Sequence, residues 1–340
     1  MKVKLKEICQ IEKGKQIDTS KLNNDNSYKY INGGIKESGF YSEYNTEGET
    51  ILVSEGGASC GYVNYISEKF WCGCHCYRLT NCVYYPKYIY YALKGNQDKI
   101  MALRTGAAMP NIKKTTFQDL EIKVNENIEH QQRIAIELDT IQSTIDNKQQ
   151  QLKELDELVK SRFIEMFGNK NFPTQKWDSV FITKTGKLDS NAMVEGGRYP
   201  FFTCAKEIFS IDNYAFDQEA LLLAGNNAAG KYDVKYYKGK FNAYQRTYVL
   251  SLKEDWSYRL FQFQLEDKLL YLKEQSKGIN TKFLTLKILQ ELEFIIPPKE
   301  LQLKFETFVQ QIDKSKFVVK QQIKDLQELM DSKMQEYFGE

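Results

Sequence analysis

Two segments of the chain carry apolar residues at alternating steps of four and three positions. This spacing keeps one apolar stripe on an α-helix and is typical of coiled coils. The first stripe consists of Ile134, Leu138, Ile141, Ile145, Leu152, Leu155 and Val159, and the second consists of Phe305, Val309, Ile312, Val319, Ile323, Leu326 and Met330. We therefore predict two long helices whose apolar seams pack on each other.

Each helix should run roughly 35 residues, or about 50 Å at 1.5 Å per residue. Lys148 and Lys316 interrupt the two seams, and a polar residue at such a position can fix the register of a helix pair at a cost in stability. A second interpretation stays open, in which each helix caps only its own domain. If the helices pair in antiparallel fashion, the segments outside them should lie at opposite ends of the pair.

The two helical segments are copies of one another. A shift of 171 residues aligns QQQLKELDELVKSRFIEMFG (149–168) with KQQIKDLQELMDSKMQEYFG (320–339), and ten positions are identical without a gap. An internal repeat of this kind decides the architecture of a chain. We therefore predict two copies of one unit, each a variable segment followed by a conserved helix.

The variable segments also share a pattern of strands. TILVSEGGASCGYVNYISEKFWCGCHCYRL (50–79) and ALLLAGNNAAGKYDVKYYKGKFNAYQRTYVL (220–250) both read as an apolar strand, a small-residue turn, an alternating strand, a polar turn and a further strand. A helix, a Gly-containing loop and a closing strand follow in each copy. The predicted fold class is α+β, with two α+β domains related by an internal repeat and separated by two long helices that form an antiparallel coiled coil.

We assign the variable domains to residues 1–125 and 169–296, and the helical spacers to residues 126–168 and 297–340. The net charge of +2 conceals an uneven distribution of charge. Lys+Arg and Asp+Glu number 17 and 13 in the first domain, 5 and 9 in the first spacer, 18 and 15 in the second domain, and 7 and 8 in the second spacer. This pattern suits domains that touch nucleic-acid phosphates, joined by helices that do not. A solvated surface without a partner would look similar.

Composition and cysteine usage point to the interior of the cell. The N-terminal sequence MKVKLKEICQIEKGK lacks the apolar core of a signal peptide, and no run of about 18 apolar residues could span a bilayer. We therefore expect a cytoplasmic protein. The seven cysteines are odd in number, which argues against a disulfide framework and favours reduced thiols. Six of them lie in the first quarter of the chain, namely Cys9, Cys60, Cys72, Cys74, Cys76 and Cys82.

These features together resemble a known family, the specificity (S) subunits of type I restriction-modification enzymes, to which the subunits of some type IIB systems are similar. The resemblance covers the whole chain and rests on the order recognition, helix, recognition, helix. It also rests on ILVSEGGASCGYV and LLLAGNNAAGKYDV, and on the helix entries ENIEHQQRIAIELDTI and PPKELQLKFETFVQQI. The family usually has a Pro-containing stretch followed by Glu-Gln at these entries. Glu129-His130-Gln131 and Pro297-Pro298 retain parts of that pattern.

The resemblance implies a DNA-sequence specificity subunit that reads a bipartite target through two recognition domains. Two methyltransferase subunits would dock on its helices and bind S-adenosylmethionine, and a translocating nuclease subunit could join them. Domains at opposite ends of the helix pair would meet the duplex about one helical turn apart, as dimeric readers do. The alternatives are a subunit of a type IIB or methylation-only system and a stand-alone DNA-binding or DNA-modifying protein.

Catalytic signatures are missing from the sequence. It has no Asn-Pro-Pro-Tyr or Asp-Pro-Pro-Tyr of an amino-methyltransferase, no Gly-rich cofactor loop and no H-E-x-x-H. His75 and His130 are the only histidines, so a catalytic triad is hard to build. We therefore expect a non-enzymatic chain without a cofactor or metal of its own.

The loop from Gly225 to Lys231 fits the pattern G-x-x-x-x-G-K of phosphate-binding loops. Such a loop needs Ser or Thr next, to ligate magnesium, and it must open a helix. Here Tyr232 follows, and KYDVKYYKGKF alternates like a strand, so we predict no nucleotide site. Two interpretations remain: the loop approaches DNA with Asn226, Asn227 and Lys231 as contacts, or it is a plain tight turn.

The stretch Trp71-Cys72-Gly73-Cys74-His75-Cys76 suggests zinc, because it gathers thiols and an imidazole. However, C-x-C-x-C lacks the two-residue gap that lets paired thiolates surround a tetrahedral ion. Alternate residues of a strand face the same side, so we expect core-facing thiols at Cys72, Cys74 and Cys76. His75 would lie on the opposite face, where it either reaches a base edge or is solvated.

Basic and aromatic residues around the turns are the candidate DNA surface, because Lys and Arg hold phosphates while Arg, Asn and Gln read bases. With His75, the candidates in the first domain are Lys13, Lys15, Lys36, Tyr62, Arg104, Lys113 and Lys114. With the two asparagines of the Gly225 loop, those in the second domain are Lys184, Lys187, Lys206, Lys231, Lys235, Arg246, Lys277 and Lys282.

Overall fold

The chain forms two compact units. The first unit consists of residues 1–151 and 319–340, and the second consists of residues 152–318. Each unit therefore contains one variable segment and a part of both long helices. The computed structural model describes residues 1–106, 108–168, 170–228, 230–278 and 280–339.

The variable segment of the first unit mixes short strands and helices and is followed by a long helix. Its elements are β1 (Lys2–Lys4), α1 (Leu5–Ile8), β2 (Gln10–Lys13), β3 (Tyr28–Ile31), β4 (Gly39–Tyr41), β5 (Thr50–Ser54), β6 (Val63–Ile66), β7 (Phe70–Cys72), β8 (Cys76–Thr80), α2 (Pro86–Gly95), α3 (Gln97–Ala102), α4 (Lys114–Gln118) and β9 (Glu121–Lys123). The long helix α5 (Ile128–Phe163) has 36 residues, close to the predicted length.

The core of the first unit surrounds β5. This strand lies inside a four-stranded sheet with the order β2-β8-β5-β6, and all its residues are buried, as in a strand covered on both faces. Pro86 opens α2, where its fixed φ suits the first helical position, and the helix buries Tyr88, Ile89, Ala92 and Leu93 in the same core. A second sheet has the order β4-β3-β7, with β3 parallel to β7.

The second unit repeats this succession of elements. They are β10 (Thr174–Lys176), α6 (Trp177–Val180), β11 (Phe181–Thr185), β12 (Tyr199–Phe202), β13 (Phe209–Ile211), β14 (Phe216–Ala224), β15 (Asn226–Asn227), β16 (Val234–Ala243), β17 (Thr247–Leu252), α7 (Tyr258–Asp267), α8 (Leu269–Gln275), β18 (Lys282–Phe283), α9 (Leu286–Gln290) and β19 (Glu293–Ile295). The long helix α10 (Lys299–Phe338) has 40 residues. Short 3-10 turns lie at Thr19–Lys21 and Ser190–Ala192, and one π turn, Ile164–Gly168, extends α5.

The strands of the second unit form a six-stranded sheet with the order β11-β17-β14-β16-β12-β13. Its strand β16 is continuous where the first unit has the separate strands β6 and β7, and β12 runs parallel to β16 as β3 runs to β7. In each unit the first strand pairs with the last in an antiparallel sheet, β1 with β9 and β10 with β19. Each variable segment is therefore a closed α+β domain, as the repeat predicted.

In the first unit, the beginning of α5 packs against the end of α10. The Tyr337 hydroxyl donates to Glu137 Oε2 at 2.7 Å, and one turn later along α5 Gln142 shares a groove with Met330 and Met334. Residues further along α5 therefore meet residues earlier in α10. The two segments are antiparallel, as predicted.

In the second unit, the end of α5 packs against the beginning of α10. Asp156 forms an ion pair with Lys316, while the rings of Phe163 and Phe305 have their centres 5.8 Å apart. The order of these contacts is again antiparallel. Lys316, which interrupts the predicted seam, is thus matched with a carboxylate on the other helix.

The predicted seam positions are all buried or half-buried. Ile134, Leu138, Ile141, Ile145, Val159, Phe305, Val309, Ile312 and Val319 are buried. The half-buried positions are Leu152, Leu155, Ile323, Leu326 and Met330. Burial is thus strongest where a domain covers the helices and weaker along their middle stretches.

A buried glutamine fixes the entry of each long helix. The side chain of Gln131 accepts from the Tyr85 N–H at 2.9 Å and donates to the Asn125 carbonyl at 2.6 Å. Gln302 does the same with the Ser257 N–H at 3.0 Å and the Pro297 carbonyl at 2.8 Å. Each side-chain amide therefore pairs with two main-chain groups at the helix entry, and a buried main-chain group without such a partner costs free energy.

The cysteines depart from the expectation of free thiols in one place. Cys9, at the end of α1, and Cys82, in the loop before α2, are joined as a disulfide. They are 73 residues apart in sequence, so an argument from the number and spacing of cysteines could not pair them. Within the described residues, no helix is both long and apolar enough to cross a membrane.

Candidate nucleic-acid interface

Five loops of the first unit meet where strands β2, β3, β5 and β7 end. We call them the first loop cluster, and its members are residues 14–16, 32–36, 55–62, 73–75 and 104–113, of which Ala107 lies outside the described residues. Backbone hydrogen bonds join them: Lys15 N–H to the Cys72 carbonyl at 2.9 Å, Gly73 N–H to Ile31 at 2.8 Å, Glu55 N–H to His75 at 2.8 Å, and Ile112 N–H to Glu55 at 2.9 Å. Residues far apart in sequence thereby form one surface.

The second unit has a corresponding surface, the second loop cluster. Its members are residues 186–188, 203–207, 225–233, 244–246 and 276–285, of which Ala229 and Ile279 lie outside the described residues. The joining hydrogen bonds run from Tyr244 N–H to the Phe202 carbonyl at 2.9 Å, from Gly225 N–H to Arg246 at 2.9 Å, and from Leu284 N–H to Gly225 at 2.8 Å.

These bonds occupy matching positions in the two units. Gly73 corresponds to Tyr244, Glu55 to Gly225, and Ile112 to Leu284, each at a shift of 170 to 172 residues. A tyrosine hydroxyl makes a further matching bond in each unit. The Tyr77 hydroxyl donates to the Ile112 carbonyl and the Tyr248 hydroxyl donates to the Leu284 carbonyl, each at 3.0 Å. Burial raises the pKa of both phenols, so each keeps the proton that it donates.

The close approach of loops also explains two glycines. A Cβ on Gly14 would lie 2.2 Å from the Gly73 carbonyl oxygen, and one on Gly186 would lie 1.9 Å from that of Ala243. Because real Cβ atoms do not approach backbone so closely, these positions accept only glycine without movement of the chain. The loops after β2 and β11 therefore contact the backbone of an equivalent turn in their own domains.

Most of the predicted residues of the first domain lie in or beside the first loop cluster with exposed side chains, namely Lys13, Lys15, Lys36, His75 and Lys113. Lys13 is held in place, because its ammonium lies 2.7 Å from each oxygen of the buried carboxylate of Glu55. The His75 side chain is exposed while its backbone N–H donates to Asn32 Oδ1 at 3.1 Å.

Three predicted residues of the first domain are placed differently. Arg104 is half-buried and donates through Nε to the Cys60 carbonyl at 2.8 Å, so part of its guanidinium supports a loop. The ammonium of Lys94 lies 4.0 Å from the ring centre of Tyr62 and covers one of its faces. Lys114 lines a groove beside α1 and β2, at the border of the cluster.

The second loop cluster carries most of the predicted residues of the second domain. The exposed ones are Lys187, Lys206, Lys231, Arg246 and Lys277, and the half-buried ones are Asn226, Asn227 and Lys282. Lys235 is engaged internally, with an ion pair to Asp233 and a hydrogen bond of 2.9 Å to the Ala205 carbonyl. Lys184 is exposed on the edge strand β11, before the loop rather than in it.

The Gly225–Lys231 loop is built as the strand pattern predicted. Its two asparagines form β15, which pairs with β18, and β16 begins at Val234 where a phosphate-binding loop would open a helix. Tyr232 is buried in the domain core. In its described residues the loop is therefore a framework element of the second cluster, with no helix N-terminus to hold a phosphate.

The cysteine-rich stretch was only partly predicted. Cys72 and Cys76 are buried in a small apolar cluster, but Cys74 is half-exposed and its Sγ lies 3.0 Å from Gln16 Oε1. The expectation for Cys74 is wrong because the chain turns between β7 and β8, which ends the alternation of faces. Across the described part of the chain, no group of three or more His, Cys, Asp or Glu side chains is arranged to hold a metal ion.

Several residues of the site were absent from the sequence predictions. Glu55, Asn32 and Gln16 organise the first loop cluster from within, and their neighbours in sequence give no sign of this role. Gln131 and Gln302 were detectable, because the 171-residue shift aligns two identical amides within the helix entries.

Comparison with known proteins agrees with this architecture. The family model for the type I restriction modification DNA specificity domain matches twice, at residues 1–157 and 169–328. A type I specificity subunit of Mycoplasma pneumoniae is 28% identical over 359 residues, which cover 97% of this chain and 94% of that one. The specificity subunit of the Escherichia coli type I restriction enzyme EcoDI is 38% identical over 153 residues, 43% of this chain and 33% of that one.

The fold has a close counterpart among solved structures. The crystal structure of a type I restriction-modification S subunit from M. genitalium superposes with a TM-score of 0.74 over 100% of this chain and 96% of that one, at 23% identity. A doubled domain matched twice by one family model defines the class: the chain belongs to the type I restriction modification DNA specificity family. It is a non-catalytic specificity subunit with two recognition domains, and the family does not itself bind a cofactor.

Proposed function

We propose that the first and second loop clusters are the DNA-reading surfaces, and that each specifies its own half of a split target. The recognition domains are then residues 1–125 and 169–296. The observation that carries this proposal is the matched framework: in both domains the same main-chain bonds bring five loops together and leave lysines, arginine or histidine exposed on them.

The charge on these surfaces supports DNA as the ligand. Lys15, Lys36, His75 and Lys113 are exposed in the first cluster, with Lys13 beside it, and the second cluster carries Lys187, Lys206, Lys231, Arg246 and Lys277. Lysines fix a protein on the phosphates, whereas arginine and asparagine can pair with base edges at two points. In this proposal Arg246, Asn226 and Asn227 read bases, and the lysines set position.

The helical spacers, residues 126–168 and 297–340, dock two methyltransferase subunits in this proposal. Those partners bind S-adenosylmethionine, and a translocating nuclease subunit joins when the complex cleaves DNA. The whole assembly works in the cytoplasm, where its DNA substrate is. Exposed apolar residues on the two helices support a docking role, among them Ile136, Leu158, Leu303, Phe317, Val318 and Leu329.

A domain exchange tests the two-reader proposal. Residues 169–296 are replaced by the matching segment of a relative, the complex is assembled with its methyltransferase, and methylated sites are mapped by sequencing. We expect one half-site to change and the other to stay. If both half-sites change, or if the target proves continuous, the proposal is wrong.

Point variants test the second loop cluster directly. Lys187→Ala with Lys231→Ala should weaken DNA binding and reduce its salt dependence by about two phosphate contacts, because each contact contributes about 0.9 to the slope of log K against log salt. The matched control is Lys176→Ala, which removes an exposed lysine from the separate sheet of β10 and β19. Equal binding by both variants would count against the assigned surface.

A further inference from the structure

Two hairpins of the loop clusters have the same construction. In the first, Thr105 and Asn111 exchange backbone hydrogen bonds of 2.9 Å in both directions. In the second, Lys277 and Phe283 exchange bonds of 3.0 and 2.8 Å. Both hairpins therefore span seven residues, 105–111 and 277–283, at a shift of 172 positions.

A glycine at the second position closes each hairpin. Gly106 and Gly278 have φ angles of +89° and +99°, a region that other residues rarely adopt. A Cβ on them would lie 2.9 Å from the Met109 carbonyl oxygen and 2.1 Å from that of Thr281. A glycine is therefore needed at the same point of the hairpin in both domains.

Each hairpin is docked on the loop that follows the central apolar strand. Gly57 N–H donates to the Pro110 carbonyl at 3.0 Å, and Gly56 pairs with Asn111. In the second domain Asn226 pairs with Phe283 and Asn227 with Lys282. Each hairpin is thus joined by main-chain hydrogen bonds to another loop of its proposed DNA-reading surface.

The tips of the two hairpins differ in chemistry. The first presents Met109, whose side chain is 81% exposed, beside Ala108 and Pro110. The second presents Asn280, Thr281 and Lys282 after the exposed Lys277. An exposed methionine on a tip flanked by Arg104 and Lys113 lies on a surface complementary in charge to a duplex.

We propose that the first hairpin enters a groove of the DNA and that Met109 makes an apolar contact with the bases there. This inference rests on the proposed function of the first loop cluster. Apolar side chains, methionine among them, contact base edges or insert at base steps when a protein enters a DNA groove. The second hairpin uses hydrogen bonds and charge in the same position, so the two half-sites are read by different chemistry.

The test measures binding of the full-length chain to a duplex that carries the target defined by methylation mapping, over a range of salt concentrations. Met109→Ala should weaken binding about tenfold, as expected for loss of part of a buried side chain, and leave the salt slope unchanged. Met109→Leu should restore most of the affinity. Because Met109 is exposed, the unfolding temperature should stay at the wild-type value in both variants.

The matched control lies in the twin hairpin. Lys277→Ala should lower the salt slope by about one phosphate contact, so its loss of affinity should be largest at low salt and shrink as the salt concentration rises. If Met109→Ala binds like the wild type, or if its defect disappears at high salt as a charge effect would, the inference is wrong while the proposed function stands. If the wild-type chain itself does not discriminate the mapped target from other DNA, the proposed function fails first.

Discussion

The two loop clusters share a framework and differ in what fills it. In the first, the side chain of Glu55 is buried beneath the loops, paired with Lys13 at 2.7 Å and within 3.0 Å of the Tyr77 hydroxyl. In the second, the matched residue is Gly225, which has no side chain. The main-chain bonds on either side of the two residues are nevertheless the same.

This difference teaches how one fold can serve two half-sites. The bonds that join the loops use backbone N–H and carbonyl groups, which every residue except proline provides. The side chains at the same positions are then free to change without altering the position of the loops. A surface of this kind can acquire a new sequence preference while its geometry is preserved.

The largest expected loss of stability comes from adding a side chain at Gly225 in the second loop cluster. A Cβ on Gly225 would lie 2.3 Å from the Arg246 carbonyl oxygen, whose acceptor role it would disrupt. We expect Gly225→Ala to lower the free energy of unfolding by about 3 kcal/mol, the upper range for overpacking. Recognition of the second half-site should weaken with it. Hydrogen exchange of the β14 and β17 amides measures the loss. Hydrogen-exchange protection equal to the wild type would show that the second loop cluster accommodates the added methyl group.

Removal of the glutamine side chain at the helix entry should lower the stability of the two units by equal amounts. Gln131→Ala and Gln302→Ala each remove one acceptor and one donor from main-chain partners. The expected cost in unfolding free energy is about 2 kcal/mol each, since an N–H and a carbonyl of the main chain both lose a hydrogen-bond partner. Denaturant unfolding of each variant checks the size. A large effect in one unit and none in the other would contradict the equivalence of the entries.

The sequence predicted the elements that depend on periodicity. The step of four and three residues predicted α5 and α10, and the alternation in KYDVKYYKGKF predicted β16. Both patterns arise because burial of one face imposes its period on the sequence. The internal repeat foretold that both variable segments share one fold. Such features are local in sequence and need no knowledge of which loops meet.

The features that escaped prediction depend on contacts between distant segments. The pairing of Cys9 with Cys82 and the burial of Glu55 arise only once β2, β5 and β8 are side by side. Cys74 was misplaced because a strand was assumed to continue through a turn. The DNA-contacting roles of individual lysines stay predictions, since exposure alone does not distinguish a phosphate contact from a solvated side chain.

A smaller difference in stability is expected between variants of the two matched tyrosines, Tyr77 and Tyr248. The Tyr77 hydroxyl lies near both Glu55 and the Ile112 carbonyl, whereas for Tyr248 the bond is to the Leu284 carbonyl. Tyr77→Phe should therefore cost about 1.5 kcal/mol, because a charged acceptor is involved, and Tyr248→Phe about 1 kcal/mol. Denaturant unfolding of the two variants compares them. A costlier Tyr248→Phe would mean that Glu55 contributes nothing through this bond.

The ends of the helix pair offer a second contrast. In the first unit Tyr337 and Lys333 of α10 meet Glu137 of α5. In the second unit the corresponding stretch is apolar, and it packs Met166, Phe167 and Phe305 together. One end is therefore held partly by a titratable group and the other by burial of aromatic and aliphatic surface.

This contrast predicts a small pH dependence that arises from Glu137 at the first unit's end of the helix pair. The hydrogen bond from Tyr337, followed by the charges of Lys333 and Arg133, lowers the pKa of Glu137 below its ordinary value of 4.5. A carboxyl with a lowered pKa contributes stability above pH 4.5 and loses it as the pH falls through the lowered value. The wild type should therefore exceed Glu137→Gln in stability at pH 7, and the difference should shrink below pH 4.5.

Hydrogen exchange of the α10 amides near Tyr337, followed from pH 7 to pH 4, would show this convergence. The amides near Phe305 provide the comparison, because Met166, Phe167 and Phe305 pack there through apolar contacts. The carboxylate is partly solvated, so the expected difference at pH 7 is small, within the range of about 0.2 to 1 kcal/mol for exposed charge pairs. A constant difference across the pH range would mean that Glu137 acts through packing. Equal acid loss near Phe305 would mean that the two helix ends are not held by different forces.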